Sequence, residues 1–320
     1  MTLPLIPPAP SAINTSAAHA SRVSRLSDLS AQLDALQGRI ATSKRVNTPA
    51  DDPVAFTRAA TLRRAQAADA ATSRSLQAAG TRLRSTEITL GSITNLVQRA
   101  TELALAGSNA TLSAENRAVL ALEVDELAQS FAGLAEARTA DGDRLFGGAR
   151  SPGPAYAPDA DGVMQWQGNG SPPPIEAGGS LIPSGLTGPE AFGKTTPPTP
   201  QNPQGTADLF ASFANLSAAL TQPDPALRAE ALASALTQMQ GHGDRLADAQ
   251  ARIGARAGRL EAEAARLDTQ GLARATDLSA LEDLDMVEAV ANLQRLLTVL
   301  EAAQASFARI SQSSLWDQLR

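Results

Sequence analysis

The sequence predicts a mainly α protein: an elongated antiparallel helical rod, a coiled-coil bundle built from the N- and C-terminal halves, with a small irregular or β insert lobe between them. Three observations carry this. Apolar residues recur every seven positions on both sides of the middle: Leu76, Leu83, Leu90, Val97 and Ala104 before it, Met239, Leu246, Ile253, Leu260 and Leu267 after it. A strict heptad sustained this long implies a left-handed supercoil. Residues 148–205 hold 12 of the 20 prolines and 11 of the 23 glycines, which excludes helix there. Finally, 43% of the residues are hydrophobic but only 3% aromatic, so the apolar mass is Ala and Leu, suited to closely packed helices.

Taken in order, residues 1–20 carry Pro4, Pro7, Pro8 and Pro10, which fix φ and lack amide donors, and an extended or disordered start is expected. From Arg22 a seam of Leu26, Leu29, Leu33, Leu36 and Ile40 marks a first helix to about residue 42. Such a seam fits an internal core stripe and an intersubunit contact equally well. Lys44 and Arg45 suit the negative end of that helix. Asp52 is placed as an N-cap with Pro53 at the first helical position. With no His or third acid beside them, Asp51 and Asp52 read as capping residues before a metal or acid-base pair. The second helix is expected over 53–106, with Ala79, Thr86, Ile93 and Ala100 as a companion column. Ser113 caps a third over 114–138, carrying Leu120, Leu127 and Leu134 against Val124 and Phe131.

Within the insert, residues 162–168, 174–176 and 180–182 read as short strands, and 194–206 as a linker. Leu209, Phe213, Leu216 and Leu220 mark a short helix, and Pro223, Asp224 and Pro225 reset the chain into a long one expected over 225–268. Gly241 and Gly243 cost about 1 kcal/mol each against Ala, so bending or fraying is expected there, with His242 solvated. Residues 277–285 read as a connector. The last helix, 286–310, carries Met286, Leu293, Leu300 and Phe307 in one column, Ala289, Leu296, Ala303 and Ile310 beside it, and Val290 and Leu297 on the other side. That stripe is wider than one partner helix covers.

The function classes narrow accordingly. A net charge of −6 gives no basic field for nucleic acid, and the absence of cysteine excludes disulfides and thiol chemistry. No apolar run reaches the 18 residues of a membrane span, and the first dozen residues lack the pattern of a cleaved secretory signal. No phosphate loop, His cluster or activated Ser is present, so no catalytic site, metal or cofactor is expected.

Residues 40–53, from Ile40 through Ser43, Lys44, Arg45, Val46, Asn47, Thr48 and Pro49 to Asp51, Asp52 and Pro53, resemble the signature after the first helix of the bacterial flagellin family. Asp143, Arg144, Leu145, Phe146, Gly147 and Gly148 resemble the end of that family's N-terminal helical region, in the manner of its hook-filament junction members more than of bulk flagellin. Ala191, Phe192 and Gly193, and the C-terminal run 307–320 with Trp316, resemble those members too, with Gln318 where many relatives carry Tyr. The resemblance covers about residues 13–148 and 206–320. It implies a structural part of the bacterial flagellum, exported by the flagellar type III apparatus without a cleaved signal. The implied partners are copies of itself in a layer between hook and filament, flagellin distally, another hook-associated protein proximally, and an export chaperone. Residues 96–103 resemble the flagellin segment that innate immune receptors contact, although Arg99 and Glu102, three apart, read first as a surface pair.

The organisation expected is 1–47 (N-terminal segment and terminal helix), 48–148 (first half of the rod), 149–206 (insert), 207–284 (second half) and 285–320 (terminal helix pairing with the first). The assembly interface is expected on Leu26, Leu29, Leu33, Leu36, Ile40, Met286, Val290, Leu293, Leu296, Leu297, Leu300, Phe307 and Ile310. Rival readings are a filament flagellin subunit, a chemoreceptor-like signalling coiled coil, and, most weakly, an enzyme.

Overall fold

The computed structural model describes residues 15–149, 153–160, 162–196 and 206–318; the side chains of 15–19 and 310–318 lie outside the described residues. The start expected to be extended or disordered lies outside the described residues up to 14, and residues 15–20 are helical instead. The chain is mainly α, with two small two-stranded antiparallel sheets in the insert. It divides into a terminal unit, residues 1–67 with 271–320, and a central unit, residues 68–270.

The helices are α1 (Thr15–Thr42), α2 (Pro53–Gly107), α3 (Ala114–Ala135), α4 (Gly188–Phe192), α5 (Leu209–Thr221), α6 (Pro225–Glu282) and α7 (Met286–Gln318). Their starts are capped by short polar side chains. Asp52 accepts from the amides of Val54 and Ala55 at 3.1 and 2.9 Å, as expected, and Ser113 accepts from Asn116 at 3.2 Å. Asp208 serves α5, Asp224 serves α6 and Asp285 serves α7 in the same way.

In the central unit both heptad columns are inside. Leu83, Leu90, Ile93, Ala100, Met239, Leu246 and Ile253 are fully buried in one cluster that runs from Leu76 to Leu267. Thr86, the polar member of the companion column, is buried because its hydroxyl donates to the Arg82 carbonyl one turn back. A second concentration is aromatic. Phe131 meets Phe210 at 4.5 Å, Phe192 edge-on at 5.2 Å and Phe213 at 5.8 Å, where α3, α4 and α5 converge.

The insert packs onto this core. Strands β1 (Tyr156–Pro158) and β2 (Met164–Trp166) pair Tyr156 with Trp166, and β3 (Pro174–Ala177) and β4 (Ser180–Pro183) pair Ile175 with Ile182 around a Gly178–Gly179 turn. Leu145 and Phe146 are buried, and the Phe146 carbonyl accepts from the Trp166 indole and the Gly188 amide, both at 2.9 Å. The glycines after them are steric: a Cβ on Gly148, at φ 77°, would stand 2.5 Å from the carbonyl oxygens of Asn169 and Gly170. Thr196 and Thr206 exchange two backbone hydrogen bonds, 2.9 and 3.1 Å, and close the insert's last loop.

The Pro/Gly-rich stretch is expected to exclude helix, yet Gly188–Phe192 form α4, because Thr187 and Glu190 cap its start reciprocally and Pro189 suits its first turn. Four further expectations are corrected. Helix α3 ends at Ala135 instead of 138, because the Glu136 carbonyl turns to accept from the Arg144 guanidinium and Ala137 begins pairing with Leu145. Helix α6 does not end near 268: it continues to Glu282, so the connector read over 277–285 shrinks to three residues. Nor does α6 fray at Gly241 and Gly243, since neighbouring apolar residues on its inner face, Met239 and Leu246, hold both sides of that turn in the core. Strand β1 had not been recognised; its three residues are too few to show alternation.

The last correction is His242, which is buried instead of solvated. Its Nε2 lies 2.9 Å from Ser212 Oγ, and because that hydroxyl donates its proton to the Asp208 carbonyl, Nε2 carries the ring proton. Burial, with a smaller push from the Arg245 charge, lowers its pKa from 6.5 to about 4. In that window the unfolded chain binds a proton that the folded chain refuses. The contribution is therefore fully present above pH 6.5 and is lost as pH falls through 4. Replacing His242 with Gln is expected to flatten the fall in thermal stability between those limits by roughly 3 kcal/mol, read by calorimetry at stepped pH.

Candidate functional site

Among the described residues of the terminal unit, the chemistry is concentrated in helix packing and one charged clasp. Helices α1 and α7 pack antiparallel. Leu26 and Leu29 lie near Ala303 and Phe307 at one end, and Leu36 lies near Leu296 at the other. Leu33 is buried, while Leu26, Leu29, Leu36 and Ile40 are half-buried. On α7, Ala289 is buried and Leu293, Leu296, Leu300 and Phe307 are half-buried. Met286, Val290 and Leu297 remain 39–40% exposed, and Val287 is 83% exposed. The side chain of Ile310 lies outside the described residues.

The two groups differ in direction. At about 100° per residue, Ala289, Leu296, Leu300 and Phe307 point toward α1, whereas Met286, Val290 and Leu297 centre roughly 80° away around the helix. The pair thus spends one apolar stripe internally and keeps a second one facing outward.

What holds the base of this pair is the segment 43–53. Ser43, at φ 55°, closes α1: its amide bonds back to Ile40 and the next amide, of Lys44, bonds back to Arg39. Across from it the α6–α7 turn is stitched on by backbone bonds, Arg45 to the Glu282 carbonyl at 2.7 Å and Leu284 to the Ser43 carbonyl at 3.1 Å. The buried carboxylate of Glu282 then receives Lys44 Nζ at 2.9 Å and the Arg63 guanidinium. Arg45 donates to the Leu281 carbonyl at 2.7 Å, so the cations assigned to the end of α1 serve the end of α6 instead.

The paired aspartates divide the remaining work. Asp51 accepts from Arg39 at 2.8 Å and from the Asn47 and Thr48 amides, which together hold its carboxyl far below the usual carboxylate range. Asp52 caps α2, and its pKa is lowered chiefly by the Ala55 amide. Val46, within the same segment, is buried. Lys44 and Arg45 thus bind the end of α6, Asp51 the segment 39–48, and Asp52 the start of α2. Among the described residues no group of three His, Asp or Glu is placed to hold a metal ion, and no helix is long and apolar enough to cross a membrane.

Glu282 was not visible as a member of this site, because its partners Lys44 and Arg63 lie 238 and 219 residues away in sequence. Replacing it with Ala leaves both cations without their anion. As each is roughly two-fifths exposed, water offsets part of the loss, and about 1–2 kcal/mol of local stability is expected to go. Hydrogen exchange would show it as faster exchange confined to residues 43–47 and 282–290.

Arg99, on the central unit's α2, pairs with Glu102 at 2.9 Å as expected and also with Glu123 of α3 at 2.7 Å.

Helical ends of this design on either side of an insert define a class. Residues 13–151 match the bacterial flagellin N-terminal helical region and residues 236–318 the bacterial flagellin C-terminal helical region. The chain belongs to the bacterial flagellin family. It is similar to flagellar hook-associated protein 3 of Escherichia coli strain K12, 26% identical over 289 residues, which are 87% of this chain and 90% of that one. It is likewise similar to flagellar hook-associated protein 3 of Salmonella typhimurium strain LT2, at 24% over 313 residues, 95% and 98% of the two chains. Its fold resembles flagellar hook associated protein-3 from Legionella pneumophila, with a TM-score of 0.61 at 15% identity over 69% of this chain and 98% of that one. It also resembles FlgL from Xanthomonas campestris, at 0.57 and 17% over 68% and 98%.

Proposed function

We propose that this chain is a structural subunit of the bacterial flagellum that joins hook to filament and offers the surface on which flagellin polymerises. The observation that carries the reading is the second apolar stripe of α7. A two-helix pair with Met286, Val290 and Leu297 turned outward is incomplete alone and is completed by burial against like chains. Contacts of this kind, made between different faces of identical subunits, generate a ring or tube.

Charge distribution supports it. Residues 1–67 and 271–320 hold 12 Lys and Arg against 11 Asp and Glu, net +1, whereas residues 68–270 hold 15 against 22, net −7. A near-neutral unit can be crowded against copies of itself with little self-repulsion. On this reading the interface comprises Leu26, Leu29, Leu33, Leu36 and Ile40 of α1 with Met286, Val290, Leu293, Leu296, Leu297, Leu300, Phe307 and Ile310 of α7. Residues 1–47 and 285–320 act as the assembling segments, 48–148 and 207–284 as the helical body, and 149–206 as the variable insert.

The neighbours would be copies of this chain in one layer, flagellin distally and another hook-associated protein proximally. A chaperone would escort the chain to flagellar export, with no leading peptide removed. The role is structural, without catalysis. The name shared by the relatives, hook-associated protein 3, favours the junction over the bulk filament. The test is deletion of the gene. Hooks are expected to remain while flagellin is shed into the medium; normal filaments, or labelled subunits found along the whole filament, would overturn the proposal.

A further inference from the structure

We infer that Asn169 is a site of spontaneous deamidation, and that the product loosens the seat of the insert on the Leu145–Gly148 segment. The chain has nine asparagines and only Asn169 is followed by glycine. Gly170 has no side chain to shield its amide, and both residues are exposed. Among the described residues nothing hydrogen-bonds the Asn169 side chain or the Gly170 amide. The comparable Asp141–Gly142 step is restrained, because the Gly142 amide donates to the Thr139 carbonyl at 3.0 Å. The remaining asparagines are followed by residues with side chains, and Asn95, Asn116, Asn215 and Asn292 lie inside helices whose ladders hold the next amide.

The chemistry needs only water. The Gly170 nitrogen gives up its proton and bonds to Asn169 Cγ, the Cγ–Nδ2 bond breaks, and ammonia leaves with that proton. The resulting five-membered imide takes up one water. Opening at one carbonyl gives Asp and at the other gives isoaspartate, in which the main chain runs through the former side chain and gains a methylene.

That extra atom falls at a tight place. The Asn169 carbonyl accepts from the Ala149 amide at 2.7 Å, and Gly148 lies so close to the Asn169 and Gly170 carbonyls that not even a Cβ fits. Gly168 is equally confined, with room for no Cβ beside the Trp166 ring, whose indole holds the Phe146 carbonyl. In isoaspartate the Asn169 carbonyl that Ala149 uses leaves the main chain as a free carboxylate, and the lengthened chain disturbs Trp166. Conversion to plain Asp keeps the backbone and adds only an exposed charge.

The experiment incubates the full chain in mildly alkaline buffer at body temperature and follows proteolytic peptides by mass spectrometry, with isoaspartyl methyltransferase labelling. The peptide containing Asn169 is expected to gain one dalton at least about tenfold faster than those containing Asn109 or Asn215, and to accept label. Asn169→Gln removes both signals, and Asn169→Asp starts with the mass gain but the fluorescence of fresh protein. Trp166 emission is expected to shift in step with isoaspartate in the parent chain only. An Asn169 peptide that stays unchanged while a free peptide of the same sequence converts would overturn the assignment. Label without any change in Trp166 emission would overturn the structural consequence.

Discussion

Removal of residues 291–320 is expected to abolish self-assembly while leaving the central unit folded. The truncation takes Leu293, Leu296, Leu297, Leu300 and Phe307, that is, most of the internal stripe against α1 and one of the three outward residues. Helix α1 alone, with 28 residues and its apolar seam exposed, has nothing left to pack on and loses its helix. Central-unit columns such as Leu83, Leu90, Leu246 and Ile253 are untouched and keep their burial. Leu297→Asp is the sharper form of the same test, since it leaves the α1-facing positions intact. Sealing an unpaired carboxylate between subunits costs several kcal/mol per contact, enough to stop a polymer in which every subunit repeats the fault. Light scattering of the purified chains reads both variants, and wild-type assembly by either would refute the interface. Circular dichroism is expected to show lost helix in the truncation and nearly full helix in Leu297→Asp.

The second large effect is on stability. Phe131→Ala empties the point where α3, α4 and α5 meet, removing a fully buried ring and three aromatic partners at once. Loss of transfer energy plus a cavity that stiff neighbouring rings cannot fill is expected to cost about 3–5 kcal/mol. In a unit of this size that lowers the midpoint by roughly 10 °C, measurable by scanning calorimetry. The terminal pair, which shares no residue with this cluster, is expected to keep its own exchange rates. A general collapse of protection across α1 and α7 would contradict the separation into two units.

Periodicity explains what could be read without a structure. A heptad is a local signal, so both columns of α2 and the main column of α6 were legible, and each of their members is buried. Caps are local as well, and Asp52 and Ser113 stand next to the turns they start. Misreadings arose where a local cue was outweighed by a distant one. Gly241 and Gly243 weaken a helix in isolation, but Met239 and Leu246 anchor the same turns, and Ser212, 30 residues away, engages His242. Residues 277–282 read as part of a connector, although Asp277 sits on the exposed side of α6 and Asp283 lies just past its end. Lys44 and Arg45 were assigned to the helix they follow, when the carboxylate and carbonyl they bind belong to another helix more than two hundred residues on. Of the interface, the stripe on α7 was legible as too wide for one partner; which part of it α1 would occupy required the pairing register.

The mutual Thr196–Thr206 ladder has a practical corollary. Because those two threonines secure each other by main-chain bonds in both directions, the chain between them begins and ends at one fastened point. Foreign sequence placed there, such as an epitope or a dye-labelling tag, would start and finish at that fastened point, adding length to the loop without parting Thr196 from Thr206.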